Sequence, residues 1–316
     1  MTDAKKTTQR ALAKAFPRTD EGMAQYLHAQ LYFKYIPLYI YYMRDGINKF
    51  LAEPLENMKP VGEKYDEVEE LVKTVVNHTG ALSADPETNV YHAKVLRLED
   101  AEQFFELDEN LDLGELPKNI IPYEHARRIL IENPQNIAVI DCVCRTLRGE
   151  AGCYPRDVCI LIGDPWVSWV MERVPEMHPR HITQAEALDI LKKAHERGNV
   201  HAAFFKDAAA GRLYHICNCC SCCCTALKAQ NYVNAPMFGG SGYVSVIDAD
   251  KCVKCGQCVD NCNFLAISKQ DDGSVTVDES LCKGCQACAT KCPADAIHFK
   301  LVDESILKPL DLKTFK

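Results

Sequence analysis

Two stretches of the chain repeat one cysteine spacing. Cys252-Val-Lys-Cys255-Gly-Gln-Cys258-Val-Asp-Asn-Cys262 and Cys282-Lys-Gly-Cys285-Gln-Ala-Cys288-Ala-Thr-Lys-Cys292 both read C-x2-C-x2-C-x3-C, and their first cysteines lie 30 residues apart. Thiolates at x2 intervals let a tight loop wrap three corners of an iron–sulfur cubane. The fourth, after x3, is expected at the start of a helix that points away, and serves the other cluster of a pair. One [4Fe-4S] cluster is therefore expected on Cys252, Cys255, Cys258 and Cys292, and a second on Cys282, Cys285, Cys288 and Cys262. Zinc ribbons use C-x2-C pairs separated by a longer gap, which the triple repeat does not match.

Eight of the 18 cysteines lie in this run, which leaves ten. They fall in two groups: Cys142, Cys144, Cys153 and Cys159, then Cys217, Cys219, Cys220, Cys222, Cys223 and Cys224. Six cysteines within eight residues cannot all be inert packing groups. One or two further [4Fe-4S] clusters are the leading expectation, with the first group joined by part of the second. An open iron or larger cluster that meets a substrate or thiol is the second reading, and structural zinc or uncommitted thiols the third. Ten is two more than two cubanes need. His215 is expected to be a hydrogen-bond partner or core residue rather than a ligand. Arg145, beside Cys144, would offset cluster charge and raise a potential.

The rest of the composition narrows the setting. The chain of 316 residues is 47% hydrophobic, enough for a packed core and for two or three domains. Clustered cysteines in a chain this long argue for metal ligation rather than a secreted disulfide scaffold. They imply a reducing compartment and an anaerobic setting, because exposed thiolates oxidise. A net charge of −8 argues against nucleic acid as a partner. Met1–Arg18 is polar and does not read as a signal peptide, so a cytoplasmic location is expected. No G-x-G-x-x-G follows a strand pattern, which argues against a dinucleotide enzyme.

Several elements must position these thiols. Residues 21–43 are apolar and tyrosine-rich, yet Lys34 and Pro37 interrupt them, so they fall short of a membrane span. They read as a helix packed on its own protein. The alternative is a helix docking on a partner, with any membrane contact peripheral. Helices are expected over Glu63–His78, with Val68, Leu71, Val72 and Val75 inward and Gly80 as cap, over Pro122–Glu132, and over Thr183–Glu196 behind a Thr183-x-x-Glu186 capping box. Strands are expected over Val90–Leu98 and Ile137–Ile140, and as a hairpin of Val200–Phe205 and Leu213–Cys217. Glu99–Glu115 is acidic and reads as a solvated face, with a docking patch for a basic redox partner as the alternative. Asn234–Gly242 reads as a boundary loop, and Tyr243–Ile247 and Ala296–Lys300 as an outer strand pair.

A resemblance joins these pieces. Pro122-Tyr-Glu-x-Ala-Arg, Ala138-Val-Ile-Asp-Cys-Val-Cys-Arg, Cys153-Tyr-Pro-x3-Cys, Ile182-Thr-x-x-Glu-Ala and His215-Ile-Cys-Asn-Cys-Cys-x-Cys-Cys-Cys resemble 4Fe-4S ferredoxin-type proteins of anaerobes, in which a cysteine-rich region precedes a two-cluster ferredoxin module. The resemblance covers about residues 120–300 and implies iron–sulfur electron transfer, with no substrate. In the first half Asn263 stands where proline is usual; a small effect on loop stiffness is expected. The expected fold class is α+β: a mixed helical and small-sheet N-terminal region with a C-terminal two-[4Fe-4S] bacterial ferredoxin-like domain. Its parts are an aromatic helical segment (1–60), a cysteine-rich α+β domain (61–240), the ferredoxin-like domain (241–300) and a tail (301–316).

The functional expectation is an electron carrier, or an oxidoreductase subunit working with redox partner proteins in a larger complex. The alternative is a reductase whose upstream cysteine site is the active site, fed by the ferredoxin module. A cluster-bearing regulator built on a winged helix over 122–217 is the weakest reading, given the acidic balance. Iron and sulfide analysis of anaerobically purified protein separates the upstream readings: about 8 Fe per chain would exclude extra clusters, and about 16 would mean two extra cubanes.

Overall fold

The computed structural model describes residues 9, 12–48, 58–78, 91–123 and 126–315. The expected cap Gly80, the strand residue Val90, Glu124 of the 122–127 motif and most of the first 11 residues lie outside them. In chain order the elements are α1 (Asp20–Lys34), α2 (Ile36–Asn48), α3 (Glu63–Asp66), α4 (Glu69–His78), β1 (Tyr91–Leu96), α5 (Leu98–Glu102), β2 (Leu111–Glu115), β3 (Arg128–Asp141), α6 (Val143–Thr146), β4 (Asp157–Asp164), α7 (Trp166–Arg173), β5 (Arg180–Ile182), α8 (Gln184–Glu196), β6 (Val200–Lys206), β7 (Arg212–Cys219), α9 (Thr225–Tyr232), β8 (Phe238–Gly239), β9 (Tyr243–Ile247), α10 (Gln257–Asp260), β10 (Ile267–Lys269), β11 (Val275–Val277) and β12 (Ile297–Leu301).

A mixed sheet ordered β2-β3-β4-β7-β6-β1-β8, with β5 on β3, forms the centre. Its strands alternate between two cores, as a pleated sheet covered on both faces must. Ile137, Val139, Ile160, Ile162, Ala203 and Phe205 face one core, together with Ala187 and Leu191 of α8. Ala138, Ile140, Cys159, Leu161, Ala202 and Phe204 face the other, under α1, α2 and α7. The second core is the cysteine side.

The tyrosine-rich segment packs on its own protein as two helices. The run breaks at Tyr35, one residue before α2 and two before Pro37. Phe33 stacks on Trp166 with ring centroids 5.6 Å apart, and Tyr32 shares a 2.8 Å hydroxyl hydrogen bond with Tyr214. The tyrosines also surround a cation. Lys206 is fully buried, with Nζ 5.0, 5.1 and 4.9 Å from the rings of Tyr32, Tyr39 and Tyr91, and 3.3 Å from Asp207. Aromatic faces and one carboxylate replace the water that a buried ammonium loses. No helix among the described residues is long and apolar enough to cross a membrane.

Three expectations change. No helix forms among the described residues of Pro122–Glu132: residues 128–132 open β3, with Ile129 and Ile131 buried at the period of a strand. The β-branched alternation outweighs the proline start signal, and one of the two helices that a winged helix over 122–217 needs goes with it. Glu63–His78 divides into α3 and α4, with Val72 and Val76 buried while Leu71 is 56% exposed, so the inward face is rotated from the one expected. Of the Asn234–Gly242 loop, Met237–Gly242 is buried, and Phe238–Gly239 pairs parallel with Ala93–Lys94. The C-terminal residues return likewise, burying Leu310 and Leu312 in the α8 core.

That return covers Lys94, whose Nζ donates 2.7 Å to the carbonyl of Lys308. Burial lowers the Lys94 pKa to about 7. The unfolded chain then holds the extra proton between about pH 7 and 10.5, so this residue's cost is full below pH 7 and fades as pH rises. Thermal unfolding of the wild type and Lys94→Met across pH 7 to 9.5 should show the wild type gaining on the variant by up to about 1.4 kcal/mol per pH unit. A pH-independent difference would contradict the assignment.

Candidate iron–sulfur and thiol sites

The two C-x2-C-x2-C-x3-C repeats adopt one conformation twice. Positive φ falls at Lys254 and Gly256 in the first, and at Gly284 and Gln286 in the second, 30 positions on. Left-handed residues let the loop curl so that three thiols point inward. The fourth thiols are held alike: the N–H of Ala266 donates to Cys262 Sγ at 3.2 Å, and that of Ala296 to Cys292 Sγ at 3.3 Å. β9 pairs with β12 and β10 with β11 around them. Cys252, Cys255, Cys258 and Cys292 line one cavity of about 320 Å³. Cys262, Cys282, Cys285 and Cys288 line another of about 300 Å³. Four converging thiols with amide N–H groups aimed at sulfur suit a bound cluster, because the donors favour the thiolate.

The ten upstream cysteines do not form one cluster of sulfurs. They form six and four. β3 ends at Asp141 and delivers Cys142, while Cys144 rides on α6. Ile140 pairs with Cys159 of β4, and the β4–β7 register places Ile160 against Ile216, so Cys159 meets Cys217. Cys217 and Cys219 share a face of β7, and Cys224 caps α9. A closed ring results. Cys159 and Cys217 lie 3.7 Å apart, and Cys224 and Cys219 3.5 Å. Side-chain hydrogen bonds link Cys142 to Cys144 and Cys159, Cys144 to Cys224, and Cys217 to Cys219. Thiol neighbours lower Cys144, Cys159 and Cys219, while the same contacts and burial raise Cys142, Cys217 and Cys224, so every second sulfur of the ring is held toward the deprotonated form that a metal binds.

The ring lines a cavity whose other walls include Tyr32, Phe33, Tyr91 and Phe204. His215 is stacked on Phe204 and sits 2.8 Å from Cys217 Sγ through Nε2; burial pulls its pKa down to about 4. Arg145 is almost fully buried and donates to Asn218 O at 3.1 Å and to the carbonyl of Pro155. Burial opposes its charge, yet Cys142, Cys220, Cys159 and Cys153 hold its pKa above the ordinary value. Both residues stand beside the thiols.

The remaining four, Cys153, Cys220, Cys222 and Cys223, gather on the loops after α6 and after β7. Their neighbour is Asn263, and here the small stiffness effect expected for it falls short. Asn263 is 5% exposed and joins the two halves of the molecule. Its Oδ1 accepts from the Ser221 N–H at 2.9 Å, its Nδ2 donates to Gly198 O at 2.9 Å, and its carbonyl accepts from Asn231 Nδ2 at 2.9 Å. Ser221 lies between Cys220 and Cys222, and Asn263 follows Cys262. Proline has no side-chain donor or acceptor for the first two of these bonds. The departure from proline was the available signal.

A family described as the 4Fe-4S dicluster domain matches residues 245–299. A ferredoxin of Methanothermococcus thermolithotrophicus is 39% identical over 56 residues, 17% of this chain and 93% of that protein. The chain belongs to the 4Fe-4S ferredoxin-type proteins. Within that group, pyruvate synthase subunit PorD of Methanocaldococcus jannaschii is 40% identical over 52 residues, 16% of this chain and 60% of the relative. Hydrogenase-4 component A of Escherichia coli is 33% identical over 84 residues, 26% and 40% of the two chains. The chain thus spans 60% of the PorD subunit's length. For this ferredoxin-type chain the Asn263 joint has a measurable cost. Asn263→Ala leaves the Ser221 N–H and Gly198 C=O without their partner and should destabilise by about 1–3 kcal/mol in denaturant unfolding. A loss under about 0.5 kcal/mol would mean that water replaces the side chain without penalty.

Proposed function

We propose that this chain is an iron–sulfur electron-transfer protein or redox subunit whose ferredoxin module exchanges electrons with the upstream thiol ring. The observation that carries this reading is the joint at Asn263, which ties the residue after Cys262 to the loop that continues the ring strand β7. Cys252, Cys255, Cys258 and Cys292 would hold one [4Fe-4S] cluster, and Cys262, Cys282, Cys285 and Cys288 the other. Such clusters supply reversible one-electron transfer when bound. The protein's own part is to hold the sulfurs, aim N–H groups at them and fix the separation of the two sites. Cys142, Cys144, Cys159, Cys217, Cys219 and Cys224 would ligate further iron–sulfur chemistry. Six thiols exceed the four of one cubane, which suits a larger cluster, or a cubane with two thiols left over.

The relatives named above as pyruvate synthase and hydrogenase components support a place beside redox partner proteins in a complex. An oxygen-poor, reducing compartment such as an anaerobe's cytoplasm is proposed as its setting, because many of these thiols are partly exposed.

A second reading is favoured by the aromatic cavity beside the ring. That cavity is walled largely by apolar and aromatic side chains, and Arg145, His215, Asn218, Thr225 and the tyrosine hydroxyls are its polar groups beside the thiols. In this reading the ring site reduces a bound substrate, and Tyr32, Phe33 and Phe204 exclude water from it.

Anaerobic potentiometric titration followed by EPR tests both. The full chain should take up at least two electrons within the window of about −700 to +450 mV open to these clusters. No uptake in that window would overturn the electron-transfer reading. Titrating candidate disulfides and thiols into the reduced protein should alter the ring signal under the second reading, and leave it unchanged under the first.

A further inference from the structure

We propose that Cys153, Cys220, Cys222 and Cys223 form a separate site for a single tetrahedral metal ion of the zinc class, and that they do not ligate a cubane. The inference stands apart from the electron-transfer reading, since neither the ferredoxin quartets nor the six-thiol ring enters it.

The first argument is spacing. The four sulfurs all lie within 4.8 Å of one another. A tetrahedral ion with metal–sulfur bonds of about 2.3 Å sets its ligand sulfurs about 3.8 Å apart. A cubane places four irons and four sulfides between its cysteines and holds them wider.

The second argument is charge. Four thiolates on a divalent ion leave two negative charges in a half-buried place, which are costly unless balanced. Cations surround this quartet. Arg44, almost fully buried, donates to the Cys223 carbonyl at 2.8 Å, and Arg148 donates to the Cys222 carbonyl at 3.0 Å. Arg145 acts on Cys153 and Cys220, and Lys228 on Cys222 and Cys223. Arg44 Nε and Nη2 and Arg148 Nε are buried with no hydrogen-bond partner among the described residues, which leaves their charge available to the sulfurs. The Cys153 N–H adds a 3.4 Å bond to Cys223 Sγ.

The third argument is position. Cys153 comes from the β3–β4 connection and the other three from the loop after β7, a separation of 67 residues from Cys153 to Cys220. An ion here would staple the two loops that carry Cys144 and Cys224 of the ring, and would brace the Ser221 contact with Asn263. The division also accounts for ten cysteines where two cubanes need eight.

The test is elemental analysis of zinc, iron and sulfide on the anaerobically purified full chain and on a Cys153→Ser/Cys222→Ser variant. The expected result is about one zinc, or one iron with no accompanying sulfide, lost from the variant while the cluster iron and its EPR signals stay. Loss of about four irons with their sulfide would overturn the proposal in favour of a cubane. Identical metal content in both proteins would overturn it in favour of uncommitted thiols. Should the variant not fold, cobalt(II) substitution of the wild type reads the same site. Absorption bands of a tetrathiolate cobalt centre are expected, and their absence counts against the site.

Discussion

The register of β3, β4 and β7 is the constraint on which the upstream half depends. Ile140 opposite Cys159, and Ile160 opposite Ile216, put Cys159 and Cys217 on one face and in contact. A slip of one residue would turn Cys159, Cys217 and Cys219 to the other core and scatter the ring. The register is held by apolar alternation on both faces: Ile137, Val139, Ile160 and Ile162 on one, Ala138, Ile140 and Leu161 on the other. The chemistry of the site therefore rests on ordinary packing some distance from it. The same packing explains α1 and α2, whose aromatic residues roof the cysteine face.

Gathering sulfurs in this way creates an electrostatic problem that the rest of the chain answers. Thiolates ligate and thiols do not, yet burial favours the neutral form. Amide N–H groups and arginines shift that balance toward the charged form. The Thr225 N–H reaches Cys144 Sγ at 3.4 Å, and Arg145 lies between the ring and the quartet of Cys153, Cys220, Cys222 and Cys223. The overall charge of −8 conceals these cations, because they are few, buried and grouped at the sulfurs. Lys206 under its tyrosines obeys the same rule with aromatic faces in place of thiolates.

Legibility in the sequence followed the range of the interaction that decides each feature. Local spacing made the two C-x2-C-x2-C-x3-C runs readable, since the loop that presents the thiols is built from neighbouring residues. The N-cap of α8 was readable for the same reason: Thr183 Oγ1 accepts from the Glu186 N–H at 3.1 Å, although the Glu186 carboxylate turns to Arg180 and does not complete a capping box. The hairpin of β6 and β7 was plain from its apolar runs. Residues 128–132 are ambiguous in sequence because a proline signal competes with the alternation of Ile129 and Ile131, and pairing with β2 decides between them. The division of ten cysteines into six and four was hidden altogether. Cys219 and Cys220 are adjacent in the chain and belong to different groups, because consecutive residues at a strand end point to opposite sides.

Asn263 shows why a local rule can break at an important place. Considered within its own repeat, proline after the fourth cysteine stiffens a turn, and its replacement looks minor. The partner sequence, however, lies 42 residues upstream, at Ser221. A side chain with both a donor and an acceptor is needed there to meet an N–H and a carbonyl from separate segments, and asparagine supplies both within one amide plane. The second repeat keeps Pro293 in the equivalent position. The two near-identical halves thus differ where only one of them adjoins the upstream thiols. That asymmetry gives the module an orientation: Cys262 lies at the end that adjoins the upstream half, whereas Cys255 of the other quartet is exposed.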